Sequence, residues 1–150
     1  MGVLEAGAAG QTGEATMNLG TTPELTLLIA AIVIGLLNLV WATVAGSGGT
    51  RDTAWLMGPR DDPRPATGVA ARLERAFANF AHTFPLYAAA LLAALLAGKA
   101  GQLTLWGSWL YVAGRLVYVP LYAAGVPVVR TLAWAVSMIG VVMVIVAFFQ

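Results

Sequence analysis

"SWLYVAGRLVYVPLYAAG", residues 108 to 125, decides how this chain must be read. The run is apolar and long enough to cross a membrane, yet Arg115 sits in its middle beside Tyr111, Tyr118 and Tyr122. On a helix advancing about 100° per residue, with Tyr111 at zero, Arg115 falls at about 40°, Tyr118 at about −20° and Tyr122 at about 20°. All four share an arc of about 60°, and the other faces are mostly Leu, Val and Ala. Gly107 and Gly114 lie beside that arc, where small residues let a second helix approach. The arginine therefore belongs to a polar stripe about three turns long on an otherwise lipid-compatible helix.

Working outward, the whole chain fits a membrane setting. Of its 150 residues, 59% are hydrophobic and 10% are charged; an ordinary soluble domain carries about 25% charged residues. Mean hydropathy is +0.81. Four stretches are nearly free of charge: Pro23 to Gly46, Ala76 to Gly98, Leu103 to Ala124 and Val128 to Phe149. Each holds about 20 residues, the length an α-helix needs to cross the hydrocarbon. Period-2 alternation is absent, which argues against a β-barrel. The expected fold is an all-α membrane protein, a four-helix transmembrane bundle over residues 23–150. Residues 1–22 read as a flexible N-terminal segment, small and polar. That segment holds Glu5 and Glu14 and neither Lys nor Arg, unlike a cleavable signal, and Met17 is a candidate natural start. With no cysteine in the chain, any sulfur nucleophile must come from a ligand.

Charge placement sets an expected orientation. The connection between the first two spans, residues 47 to 75, holds Arg51, Arg60, Arg64, Arg72 and Arg75. The second connection holds only Lys99, and the third brings Arg130 near the start of the last span. The positive-inside rule puts the first and third connections in the cytoplasm and both termini outside it. In a bacterium this is a multi-pass protein of the inner membrane. Trp41, Trp106, Trp109 and Trp134 lie toward span ends, as interfacial aromatics do. "GPRDDPRP", residues 58 to 65, reads as a solvated turn.

A second polar stripe lies in "RLERAFANFAHTFP", residues 72 to 85. With Arg72 at zero, Arg75 falls at about −60°, Asn79 at about −20° and His82 at about −80°, while Glu74 points away as a solvated or locally paired charge. A narrow bundle leaves this stripe little room, so it is expected to meet the third span of a neighbouring copy. Tyr87 reads as an interfacial anchor and Asn38 as interhelical glue. Arg115 is harder to place. A mid-span arginine costs about 2.5–3.5 kcal/mol on insertion scales, and no acidic residue lies deep in a span to neutralise it. Between a structural role and a site for an anionic ligand, the second is favoured. A proton or ion pathway through Arg115 and His82 is a weaker reading, since membrane-buried carboxylates are missing.

"RAFANFAHTFPLY", 75 to 87, followed by "YVAGRLVYVPLY", 111 to 122, resembles the MAPEG family, membrane-associated proteins of eicosanoid and glutathione metabolism. The resemblance extends over residues 20 to 149 and is greatest to small bacterial members. It implies a homotrimer of four-helix protomers binding glutathione between neighbours near the cytoplasmic face. Arg75 and Asn79 match the arginine and asparagine that hold glutathione, and Arg72 a nearby basic position. Tyr111, Arg115, Tyr118 and Tyr122 match the third-span pocket. Two positions depart from the pattern. His82 stands where a glutamate usually meets the glutathione ammonium, and Ala124 stands where the leukotriene synthase branch has a catalytic arginine. Arg130 is a candidate substitute.

The resemblance thus implies a glutathione-dependent transferase or peroxidase acting on lipophilic electrophiles. Arg115, Tyr118 and Tyr122 would be catalytic; Arg72, Arg75, Asn79, His82, Tyr111 and Arg130 would bind glutathione. The expected partners are two further copies of the chain, membrane lipid and a small lipophilic substrate, with no metal and no nucleic acid. A non-catalytic trimer binding a lipid or other amphiphilic anion in the same cleft is the alternative.

Overall fold

The computed structural model describes residues 22–47, 51–59 and 61–150. Residues 1–21 of the N-terminal segment, with Met17, and Arg60 lie outside the described residues. Helices account for nearly all of the rest: α1 Pro23–Gly46, α2 Thr53–Met57, α3 Gly68–Leu96, α4 Gln102–Ala124 and α5 Pro127–Phe148. No strand occurs among the described residues.

By length and apolar composition, α1, α3 and α5 can each cross a membrane, with mean hydropathies of 2.5, 1.4 and 2.4. The 23-residue α4 is as long but carries the polar stripe. It is tolerated because it is enclosed: α4 packs on α1, α3 and α5, whereas α1 and α5 do not touch. Its polar groups therefore face protein, and Trp106, Trp109, Leu116 and Val117 are exposed on its other side.

Helices in lipid gain little from apolar burial, so close backbone approach matters more. The α4–α5 seam shows this. A Cβ on Gly107 would sit 2.7 Å from the Gly140 carbonyl oxygen, and one on Gly114 would sit 2.8 Å from that of Ala133. A Cβ on Gly140 would sit 2.8 Å from the Tyr111 nitrogen. Between α1 and α3, the Phe80 ring occupies the space a side chain at Gly35 would need. The sequence expected small residues beside the stripe to admit a helix; α5 is that helix.

The apolar core is split in two. One cluster, around Leu27, Ala31, Tyr87, Leu91, Tyr111 and Val144, lies toward the α3–α4 turn, here the turn end. The other, Ala42, Leu73, Val119 and Ala123, lies toward the α1–α3 connection, here the loop end. Between them in register sit the buried polar residues Asn38, Thr83 and Arg115.

Several expectations are corrected. Tyr87 is no interfacial anchor: it is 0% exposed and stacks on Tyr111, ring centroids 4.1 Å apart. Its ring fills the space between α3 and α4, which a helix-end position would not. Asn38 is buried, but its amide nitrogen and oxygen have no hydrogen-bond partner among the described residues, so no such bond joins helices there. The second span extends further than its apolar run, because α3 begins at Gly68, eight residues before Ala76. Within one chain, Asn79 of the second stripe and the neighbouring Thr83 bond Arg115 of the third span.

The first connection is tied down rather than free. Asp52 caps α2 by accepting from the Trp55 nitrogen at 2.8 Å. Arg51 pairs with Glu74, donates to the Arg64 carbonyl at 2.6 Å and lies over the Trp55 ring. Of the two alternatives for Glu74, solvated or locally paired, the structure shows the second.

Candidate functional site

Arg115 is 0% exposed. Its Nη1 donates to Asn79 Oδ1 at 2.7 Å and its Nη2 to Thr83 Oγ1 at 2.8 Å. Thr83 can accept because its own proton goes to the Asn79 carbonyl oxygen at 3.0 Å. The guanidinium lies 5.3 Å from the Tyr111 ring centre and 5.4 Å from that of Tyr118, so two aromatic faces share its charge. Only Nε has no partner. A buried cation thus clamps α4 to α3 through hydroxyl and amide dipoles, with no carboxylate in contact.

In front of this clamp, toward the loop end, lies a cavity of about 220 Å³ lined by Asn79, Tyr118, Tyr122, Arg130, Thr131 and Trp134. Tyr118 and Tyr122 meet edge to face with centroids 5.4 Å apart. The Arg130 guanidinium stands 4.3 Å over the Tyr122 ring. Arg115 does not line the cavity; it stands behind Asn79 and Tyr118. Among the described residues, one cation faces the cavity, a second supports its wall, and no acidic residue lines it. Such a field favours an anion. The volume is below the range of about 300–1,000 Å³ usual for small-ligand pockets. A larger hollow of about 380 Å³ along α5 is lined only by apolar and aromatic side chains, with nothing to orient a charged ligand.

A model of the MAPEG family matches residues 26–149, from the first turns of α1 to beyond the end of α5. The chain belongs to the MAPEG family. No curated protein matches it. Family members include glutathione transferases and peroxidases as well as non-catalytic proteins, so membership fixes the membrane fold and leaves the activity to the site.

Of the sequence-derived residues, Asn79, Tyr118, Tyr122 and Arg130 come together on this MAPEG cavity. Arg115 and Tyr111 lie behind it. Arg72 is turned away from it, and its Nε donates to the Ala123 carbonyl at 2.9 Å. There it caps α4, whose last carbonyls lack helical partners, beside Gly125 in the left-handed conformation at φ 79°. Arg75 and His82 are exposed on the outer side of α3, four residues below and three above Asn79, and neither lines the cavity.

Sequence reasoning missed Thr83, Thr131 and Trp134. Thr83 was legible: on the helical wheel that places Asn79 at about −20°, Thr83 falls at about 20°, nearer to it than His82. Thr131 and Trp134 had no such signal, since their place depends on how α5 packs.

Proposed function

We propose that this MAPEG-family chain is an integral membrane glutathione-dependent transferase or peroxidase-like protein acting on lipophilic electrophiles. It would work as a homotrimer, with glutathione held between protomers near the cytoplasmic face. The observation that carries this reading is the wall built from Asn79, Tyr118, Tyr122 and Arg130 and backed by the buried Arg115. Its cationic and hydroxyl groups suit carboxylates and a thiolate. Arg130 would take a carboxylate. Asn79 offers an amide whose oxygen is already engaged by Arg115, so its nitrogen is left to donate to the ligand. Tyr118 and Tyr122 would donate to sulfur, which glutathione supplies as a thiolate. Arg115 acts as a positioning residue, fixing Asn79 and holding positive charge behind Tyr118. The modest volume fits one side of a cleft that a neighbouring copy completes.

A second reading has its own support. Among the described residues no carboxylate lines the cavity to meet an ammonium, and His82 is the nearest titratable group above Asn79 on α3. A non-catalytic trimer binding an amphiphilic anion would need no such carboxylate.

Calorimetry of purified protein in mild detergent separates the two. Saturable glutathione binding that an anionic lysophospholipid does not displace supports the first. No glutathione binding together with tight lysophospholipid binding supports the second. Scattering mass tests the trimer. Reporter fusions at Arg64 and at Gln150 test the orientation, and a cytoplasmic Gln150 overturns it.

A further inference from the structure

The turn between α4 and α5 joins two residues that line the cavity, Tyr122 before it and Arg130 after it. Only Gly125 and Val126 separate the helices. Gly125 is left-handed; its N–H donates to the Tyr122 carbonyl at 3.1 Å, and that of Val126 donates to the Leu121 carbonyl at 3.1 Å. This is the Schellman pattern, and it leaves the Ala123 carbonyl without a backbone partner. A continuing helix would supply one from residue 127, but Pro127 has no N–H. Arg72 of α3 fills the gap, its Nε donating to the Ala123 carbonyl at 2.9 Å. The same side chain lies across the turn: a Cβ on Gly125 would sit 3.8 Å from Cδ, Nε and Cζ of Arg72. The adjacent Leu73 is fully buried in the core cluster that holds Val119 and Ala123. The second turn of α3 thus grips the end of α4 from the side and covers the turn that follows.

We infer that Arg72 is a positioning residue for Arg130: by pinning the α4–α5 turn it sets the direction in which α5 leaves, and so holds the Arg130 guanidinium over Tyr122 at the cavity. This role rests on the glutathione reading of the cavity. The family resemblance implies that Arg72 contacts glutathione itself. The geometry points instead to an indirect part, because Arg72 does not line the cavity and its Nε is engaged with backbone. The pin matters because the Arg130–Tyr122 contact, 4.3 Å from guanidinium to ring centre, spans the turn. Pro127 fixes its own φ, so the freedom of the turn lies in Gly125 and Val126. Glycine accepts either sign of φ, and a change there swings everything beyond it, Arg130 first. One hydrogen bond and one packed side chain from α3 remove that freedom. Asn79 stands on the same helix. So α3 supplies one wall of the cavity directly and fixes the cation of another through the turn. Bidentate capture of a carboxylate depends on that placement.

The test is glutathione calorimetry on the full-length protein in mild detergent. Glutamine carries its side-chain nitrogen where arginine carries Nε, so Arg72→Gln keeps the bond to Ala123 and removes the charge. It should bind within about twofold of the parent, whereas Arg72→Ala should bind at least about threefold more weakly. Added to Arg130→Ala, which alone weakens binding roughly tenfold, Arg72→Ala should cost less than about twofold more. An equal loss in Arg72→Gln and Arg72→Ala overturns the proposal, since the charge itself would then act on the ligand. A full further loss on top of Arg130→Ala, or parent affinity in Arg72→Ala, overturns it as well. If Arg72→Ala does not assemble, Arg72→Met, which keeps the stem over Gly125 without the donor, is read by the same outcomes. If the parent binds no glutathione, the functional reading fails and a ligand-free measurement decides the positioning role. The chain has no cysteine, so Thr131→Cys puts a single thiol at the cavity next to Arg130. Its rate with an anionic methanethiosulfonate, divided by that with a neutral one, reads the positive charge there. That ratio should stay within about twofold on adding Arg72→Gln and fall at least about threefold on adding Arg72→Ala. No fall with Arg72→Ala, or equal falls with both, overturns the role.

Discussion

The two ends of the α4 stripe use the same side chains to opposite effect. At the loop end, Tyr118 and Tyr122 border an open cavity with Arg130 beside them. At the turn end, Tyr87 and Tyr111 are stacked and sealed, their hydroxyls unpaired. Residue chemistry does not make the difference; α5 does. Gly140 has no side chain and lies against the Tyr111 backbone, so α5 closes down on α4 there. Nearer the start of α5, Arg130, Thr131 and Trp134 line an open space with Tyr118 and Tyr122. An aromatic–hydroxyl stripe is a packing core or a binding wall according to the size of what faces it.

The strongest way to break this contrast is Gly140→Leu. A side chain there overlaps backbone, and overpacking of that kind costs about 1–3 kcal/mol, with about 3 expected here because the obstacle is rigid. Unfolding titrations in mixed micelles should show it. The same helix displacement should open the sealed end, raising the reactivity of the turn-end tyrosines to a hydroxyl-modifying reagent. An unchanged unfolding midpoint would mean that the seam does not seal that end.

Arg115→Gln comes next. It removes the charge behind the cavity wall and, with its shorter side chain, the two-pronged link to Thr83 and Asn79, so affinity for an anionic ligand should fall roughly tenfold, about 1.4 kcal/mol. Assembly by size exclusion should hold, because a buried, uncompensated cation is costly in a span. Calorimetry showing undiminished affinity would reduce Arg115 to a helix clamp. Arg130→Ala should weaken binding similarly without touching the clamp.

A tyrosine pair sharpens the contrast by sign. Tyr87→Phe removes a buried hydroxyl with no partner and should raise stability by about 1 kcal/mol. Tyr122→Phe, at the open cavity, should leave stability within about 0.5 kcal/mol and reduce affinity. Equal effects at the two positions would erase the distinction between the ends. The smallest expected effect is that of Arg72→Ala. It uncaps the last turn of α4 and should cost about 0.5–1.5 kcal/mol, the net value of one hydrogen bond. If ligand affinity falls while stability does not, Arg72 belongs to the site after all.

Much of this molecule was legible in its residues. The long apolar runs fixed four helices, since backbone groups in lipid must be satisfied within the chain. Helical spacing put Tyr111, Arg115, Tyr118 and Tyr122 on one face, and the small residues Gly107 and Gly114 marked where another helix would approach. The angle of Glu74 turned it away from the second stripe. These are properties of a single helix, computed from a period of about 3.6 residues and the chemistry of each side chain.

What faces each stripe was decided only by tertiary structure. The helical wheel grouped Arg72, Arg75, Asn79 and His82, but α3 carries Asn79 to the cavity, turns Arg72 to the end of α4 and leaves Arg75 and His82 on its outer side. Wheel angles cannot distinguish these fates, because they depend on where α4 ends and how α5 leans. Nor could sequence show that Arg115 is held by Thr83 behind the wall, or that Glu24, at a span's edge, is buried against Thr104. A period fixes which side of a helix a residue occupies; only packing against other helices determines whether that side meets lipid, protein or a cavity.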